Sequence, residues 1–295
     1  MHLARFRDST TGEYGLAVSG HEHYAVELEG ERVRGFSELL RLPLAEIRAA
    51  VEGPRSTIIV GDHDESLSPC DGRMEVWAAG VTYSRSRDAR VEESTERSVY
   101  DRVYDADRPE LFFKSAAWRT VSDGAAIGIR ADSQLNVPEP ELALMVNAHR
   151  EIVGYTVCND VSSRSIEGEN PLYLPQAKIY KGSCSIASAV RPAWEVPDPY
   201  ALEIQVAIVR HDAVVWQGQA STAQLHRTYC DLVDWLFKAQ DFPDGVLLST
   251  GTCLVPPMDI TLRQGDEVQI KIADVGELSN RVSMEGTSAT HELKG

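Results

Sequence analysis

The stretch Val137-Pro138-Glu139-Pro140-Glu141 constrains this chain more than any other. Each proline fixes its own φ, removes a backbone donor and pushes the residue before it out of helical space. The segment is therefore extended, and in an extended segment Glu139 and Glu141 project from one face. Residues 141–146 and 152–158 flank a polar turn at 147–150 and read as a β-hairpin. Counting back from a Val146–Glu151 pair, Glu139 faces Cys158 and Glu141 faces Thr156. Asp160 then arrives on the glutamates' side, diagonal to Glu139. A one-residue slip would send it to the opposite face.

Three carboxylates on one surface repel one another unless a cation neutralises them. Oxygen donors favour a hard divalent ion over zinc, with Mg²⁺ first and Mn²⁺ or Ca²⁺ as alternatives. Three anionic ligands leave positions for water or a chelating substrate. The spacing by itself also fits three solvated surface acids. A second signal is the apolar, turn-rich run at 170–180 (NPLYLPQAKIY), whose single cation is Lys178. Such a lysine either snorkels to solvent or, partly buried beside a metal, anchors substrate or moves a proton.

Around this centre the chain reads as a small N-terminal α+β domain over 1–72 and a β-rich α+β catalytic domain over 73–295. In the first, the run beginning at Tyr24 alternates like a strand, and residues 36–51 read as a helix interrupted at Pro43. Residues 61–73 are a polar, turn-rich boundary. In the second, 76–83 reads as a buried strand and 91–104 as an exposed helix. A second hairpin joins 202–209 to 213–216, a helix covers 222–240 with Ser221 as cap, and 246–255 and 267–272 are strands.

Composition narrows the partners. Lys plus Arg number 29 against 45 Asp plus Glu, a net charge of −16, which disfavours nucleic acid and anionic membrane surfaces. Five scattered cysteines with no Cys-x-x-Cys pair argue against a disulfide framework and a thiolate zinc site. The first residues lack an apolar core, and no apolar run approaches ~18 residues, so a cytoplasmic location is expected. Among other candidates, His21-x-His23 has no third ligand nearby. His63 lies in the linker, His149 in the hairpin turn, and His226 on the late helix without a partner. Cys158 reads as a small core residue. No G-x-S-x-G, G-x-G-x-x-G or P-loop motif occurs.

The segment Pro138-Glu139-Pro140-Glu141-Leu-Ala, followed by Gly154-Tyr155-Thr156-Val157-Cys158-Asn159-Asp160-Val161-Ser162-Ser163-Arg164, resembles the E-x-E…GYT-x-x-NDVSAR signature of the fumarylacetoacetate hydrolase superfamily. Ala177-Lys178 ahead of Gly182-Ser183-Cys184, and the Ser249-Thr250-Gly251-Thr252 turn, extend the likeness over residues 75–275. Residues 108–114, 138–143 and 169–180 resemble in particular the branch of dehydratases acting on 2-keto-3-deoxy sugar acids.

The resemblance implies a fumarylacetoacetate hydrolase-like mixed β-sheet roll, Mg²⁺, a 2-oxo acid substrate and a homodimer or homotetramer. It implies Glu139, Glu141 and Asp160 as metal ligands and Lys178 as the catalytic residue beside the substrate. Arg164 and Thr252 would contact substrate, as would Tyr83, Ser84 and Arg85. The activity implied is dehydration of 2-keto-3-deoxy-D-arabinonate to 2-oxoglutarate semialdehyde through an enolate. Residues 80–88 contain no histidine, whereas the superfamily's hydrolases use a His–Glu pair to activate water for C–C cleavage. That departure turns the reading away from hydrolysis of a 2,4-diketo acid. Decarboxylation or tautomerisation of an oxo acid and non-catalytic binding are the other readings. Ser165 stands where the family usually has Asp, and residues 184–189 (CSIASA) also depart.

Overall fold

Strand pairing joins the N-terminal strands to the middle of the chain in one large mixed sheet. Its order runs from Thr57–Ile58 through His23–Ala25, Tyr14–Ser19 and His2–Arg7 to Ala189–Pro192, Ile152–Asp160, Pro140–Val146, Val246–Ser249, Glu75–Gly80 and Glu110–Ala116. The join between the early and late strands is the Leu3–Val190 pair. A five-stranded sheet, ordered Ile127–Gly128, Gly276–Ser283, Glu267–Ile272, Glu203–Arg210 and Ala213–Ser221, forms the second layer. The computed structural model describes residues 1–19, 23–53, 57–58, 64–86 and 102–284. Among these, no helix is long and apolar enough to cross a membrane.

The central hairpin separates two cores. Leu142, Leu144 and Val146, with Tyr155 and Val157, face the core shared with the five-stranded sheet and the helix Tyr229–Leu236. Ala143, Met145, Val153 and Cys158 face a second core that contains Leu3, Leu16, Phe36, Leu39 and Ile47. Glu141 lies on this second side, two residues from Ala143 along the same strand.

The register of that hairpin differs from the expected one. Glu141 pairs with Cys158, not Thr156, and Pro140 pairs with Asn159. Two local features produce the shift. The turn seats Val146 opposite Ile152, one residue beyond the expected partner, with Arg150 in left-handed space at φ 65°. A bulge then makes Gly154 the partner of Met145, leaving Val153 as the extra residue. The displacement totals two residues, so alternation is preserved. Asp160 keeps the expected face but stands directly across from Glu139, and its N–H donates to Glu139 O at 3.0 Å.

Other expectations are adjusted in detail. Pro43 does split the N-terminal helix, as the cap between Phe36–Leu39 and Leu44–Glu52. The strand expected from Tyr24 is interrupted at Val26, between His23–Ala25 and Glu27–Leu28. The helix expected over 222–240 is two pieces, a 3₁₀ turn Thr222–Gln224 and the α-helix Tyr229–Leu236. Between them Leu225 bridges to Tyr83 and His226 N donates to Thr82 O at 2.9 Å, which removes the backbone groups a continuous helix needs. Ser221 caps only the short turn, and Thr228 caps the helix. The strand expected over 246–255 stops at Ser249, because Gly251 turns the chain with φ 93°. Strand Gly276–Ser283 had no clear sequence signal. Of the helix expected over 91–104, only 102–104 are described, and they are helical.

Candidate metal centre

Each acid of the candidate centre is held in place by a specific hydrogen bond or ion pair. Pro140 cannot donate, so the backbone of the first glutamate is anchored elsewhere: Glu139 N donates to the Asn159 side chain at 3.2 Å. Glu141 is held by the late turn, where Ser249 Oγ (2.5 Å) and Gly251 N (2.9 Å) both donate to its Oε2. Thr250 and Thr252 fasten that turn to the same strand through Leu142 O and Pro140 O. After Asp160, the Ser162 hydroxyl donates back to Asp160 O at 2.9 Å. Ser163 caps the helix Arg164–Glu169, which delivers Arg164 onto Glu139. One oxygen from each of Glu139, Glu141 and Asp160 lies within 4.8 Å of the others. All three residues are at most 2% exposed.

Three buried cations surround these acids. Lys178 Nζ donates to Glu139 Oε2 (2.7 Å), Asp160 Oδ2 (3.1 Å) and Ser162 Oγ (2.6 Å), which accounts for the three donors of an ammonium. Arg164 Nη2 meets Glu139 Oε1 at 3.2 Å. Lys114, which is 0% exposed, ion-pairs with Asp160 Oδ1 and donates to Val161 O (3.1 Å) and Lys178 O (2.6 Å). Glu167, also buried, lies 3.9 Å from Lys178 Nζ. Four buried carboxylates thus face three buried cations.

Among the described residues Glu141 has no cationic partner. Burial, followed by the nearby charges of Asp160 and Glu139, pushes its carboxyl well above the usual carboxylate range. A buried oxygen cluster that is one positive charge short fits a hard divalent cation.

The other sequence candidates are dispersed. Arg164 and Lys178 are at the cluster. Tyr83 is buried in the larger core; desolvation, then Cys253, Tyr229 and Glu141, raise its phenol. Ser84 and Arg85, which follow it, are exposed. The Thr252 hydroxyl is bonded to backbone at Pro140 and Leu254. His149 contacts Arg41 O at 3.1 Å. His226 does have a partner: its ring stacks on Tyr104 at 4.3 Å. His21 and His63 lie outside the described residues, and all five cysteines are free. Sequence reasoning had not assigned Lys114, Ser162, Ser249 or Gly251 to the site. Lys114 carries the signal that drew attention to Lys178, one cation at the end of an apolar run, Leu111-Phe112-Phe113.

A buried Glu-Glu-Asp cluster at the open end of a hairpin, on a large mixed sheet, defines a candidate divalent-metal centre. The chain belongs to the fumarylacetoacetate hydrolase family: residues 75–283 match the model of the fumarylacetoacetate (FAA) hydrolase C-terminal domain. It is 50% identical over 288 residues, 95% of each chain, to a probable 2-keto-3-deoxyxylonate dehydratase of Haloferax volcanii. It is 41% identical to the 2-dehydro-3-deoxy-D-arabinonate dehydratase of Saccharolobus solfataricus over 208 residues, 69% of this chain and 70% of that one. Its fold superposes on 2-keto-3-deoxy-D-arabinonate dehydratase complexed with magnesium and 2,5-dioxopentanoate with a TM-score of 0.82. That comparison has 31% identity and covers 96% of this chain and 99% of the other.

Proposed function

We propose that this protein is a Mg²⁺-dependent lyase that dehydrates a 2-keto-3-deoxy sugar acid. The observation that carries the reading is Lys178 Nζ lodged on Glu139 and Asp160, which puts a proton-bearing group inside a cation-binding cluster. The dehydratases that share the whole length of the chain support it. Their two names converge chemically. Once C2 is a ketone and C3 a methylene, pentonates of one C4 configuration are the same compound.

Glu139, Glu141 and Asp160 would hold Mg²⁺. Bound there, Mg²⁺ supplies the Lewis acidity that stabilises negative charge on the 2-oxo oxygen as a C3 proton leaves. We assign to Lys178, oriented by Ser162 and its two carboxylates, the movement of protons at C3: it would accept the departing proton as the neutral amine and return one to C3 as the ammonium. Loss of the C3 proton and the C4 hydroxyl expels one water and leaves a C3–C4 double bond. Transfer of a proton from C5 to C3, followed by tautomerisation, gives the aldehyde, 2,5-dioxopentanoate, with no change in overall oxidation state. Arg164, behind Glu139, and Thr252, Tyr83, Ser84 and Arg85 are our candidates for substrate contacts.

The test uses protein stripped with a chelator, then reloaded with Mg²⁺ and given 2-keto-3-deoxy-D-arabinonate. Proton NMR should show an aldehyde signal growing only after reloading. Cleavage of an acylpyruvate without turnover of the sugar acid would instead establish the hydrolase reading. Binding of Mg²⁺ and oxo acid with no turnover of either would make the chain a binding module.

A further inference from the structure

Each of the three carboxylates has one oxygen engaged by the protein on its outer side. Arg164 holds Glu139 Oε1, Lys114 holds Asp160 Oδ1, and Ser249 with Gly251 hold Glu141 Oε2. The inner oxygens of Glu139 and Asp160 are the two that Lys178 Nζ contacts. Glu139 and Asp160 therefore each share one oxygen with Lys178 and have the other paired to a second cation, while Glu141 has one oxygen held by the late turn.

This matters for the choice of ion. Ca²⁺ takes about six to eight oxygens at longer range and readily uses both oxygens of one carboxylate, whereas Mg²⁺ demands a tight octahedron. We propose that these outer donors, with Lys114 the decisive one, are positioning residues that make the centre select Mg²⁺ over Ca²⁺ by holding each acid to a single inward oxygen. Lys114 suits the task because it is buried and fixed at three points. It pairs with Asp160 and donates to Val161 O and to Lys178 O at the end of the short helix Leu174–Lys178. Freed from Lys114, Asp160 can turn both oxygens inward, a gain for Ca²⁺ and a poor fit for Mg²⁺.

The inference rests on a metal binding at Glu139, Glu141 and Asp160. Its test is calorimetric titration of chelator-stripped protein with Mg²⁺ and with Ca²⁺, for wild type, Lys114→Met and Ser249→Ala. The quantity read is the ratio of the Ca²⁺ to the Mg²⁺ dissociation constant. Deleting a nearby positive charge strengthens binding of both divalent ions alike, so the ratio reports coordination and not charge. The ratio should fall about tenfold in Lys114→Met and about two- to threefold in Ser249→Ala, where Gly251 still holds the same oxygen. If Lys114→Met does not melt cooperatively, the milder Ser249→Ala decides the matter. Unchanged ratios in folded variants overturn the proposal and leave the proposed function standing; wild-type protein that binds neither ion overturns both.

Discussion

The hairpin that carries Glu139, Glu141 and Asp160 and the segment that carries Tyr83, Ser84 and Arg85 are built by opposite means. On the hairpin each acid is buried and has an oxygen held by a cation or a donor, and Glu141 and Asp160 are also fixed by strand register. In the segment, Tyr83 is tied down through the bridge to Leu225, while Ser84 and Arg85 stand in solvent. Arg85 has no hydrogen bond or ion pair among the described residues. If the proposed substrate contacts of Tyr83, Ser84 and Arg85 hold, charge chemistry sits on the buried hairpin and recognition on an exposed segment, which can then vary between substrates without disturbing the carboxylate cluster.

The comparison breaks first at Asp160. Asp160→Asn removes an anionic ligand and leaves Lys114 and Lys178 facing a neutral amide. Because loss of an outer partner alone costs about 10–100-fold in metal affinity or activity, turnover should fall more than about 100-fold and Mg²⁺ titration heat should vanish. Activity near wild type would remove Asp160 from the centre. Gly251→Ala is next. A Cβ there would overlap Thr82 Oγ1 and sit 2.9 Å from Ala79 O, in a backbone conformation at φ 93°. Strain and overpacking should cost about 2–5 kcal/mol in a chemical melt, and the shifted turn should weaken Mg²⁺ binding through Glu141. An unperturbed melt would mean that the turn is not rigid.

A pH series sharpens the rigid side of the contrast. The folded-state carboxyl of Glu141 is raised above its unfolded value. Its contribution to stability is therefore fully present below the unfolded value and lost as pH rises through the folded one. Mg²⁺ requires the ionised form, so its stabilisation grows over the same window. At a hundred times the dissociation constant it reaches about 2.7 kcal/mol. The gap between melting temperatures with and without Mg²⁺ should widen from acid to neutral pH. A gap that narrows would place the ion away from Glu141.

How much of this was legible in the sequence follows from which interactions are local. Two prolines in five residues dictate an extended backbone, so Glu139 and Glu141 share a face whatever the tertiary context. The parity of Asp160 survived as well, but only because the turn and the bulge at Val153 each contributed one residue. A single one would have reversed it. Lys114 and Ser249 could not be assigned by spacing, since they reach the centre across strand pairs distant in sequence. The late helix was overestimated for a related reason: Leu225 and His226 follow helical periodicity, yet pair with Tyr83 and Thr82.

The smallest expected effect tests the loop side. Arg85 is exposed and has no hydrogen bond or ion pair among the described residues, so Arg85→Ala should leave the melting temperature within about one degree. If it meets the substrate carboxylate through solvent, as an exposed ion pair, KM should rise only about two- to fivefold with kcat unchanged. That rise should shrink with added salt, because screening weakens exposed charge pairs while leaving the buried cluster almost untouched. A fall in kcat at constant KM would instead mean that Arg85 acts in the transition state alone. The loop would then belong with the chemistry, and the division between rigid strands that hold charge and an open segment that reads substrate would fail at this residue.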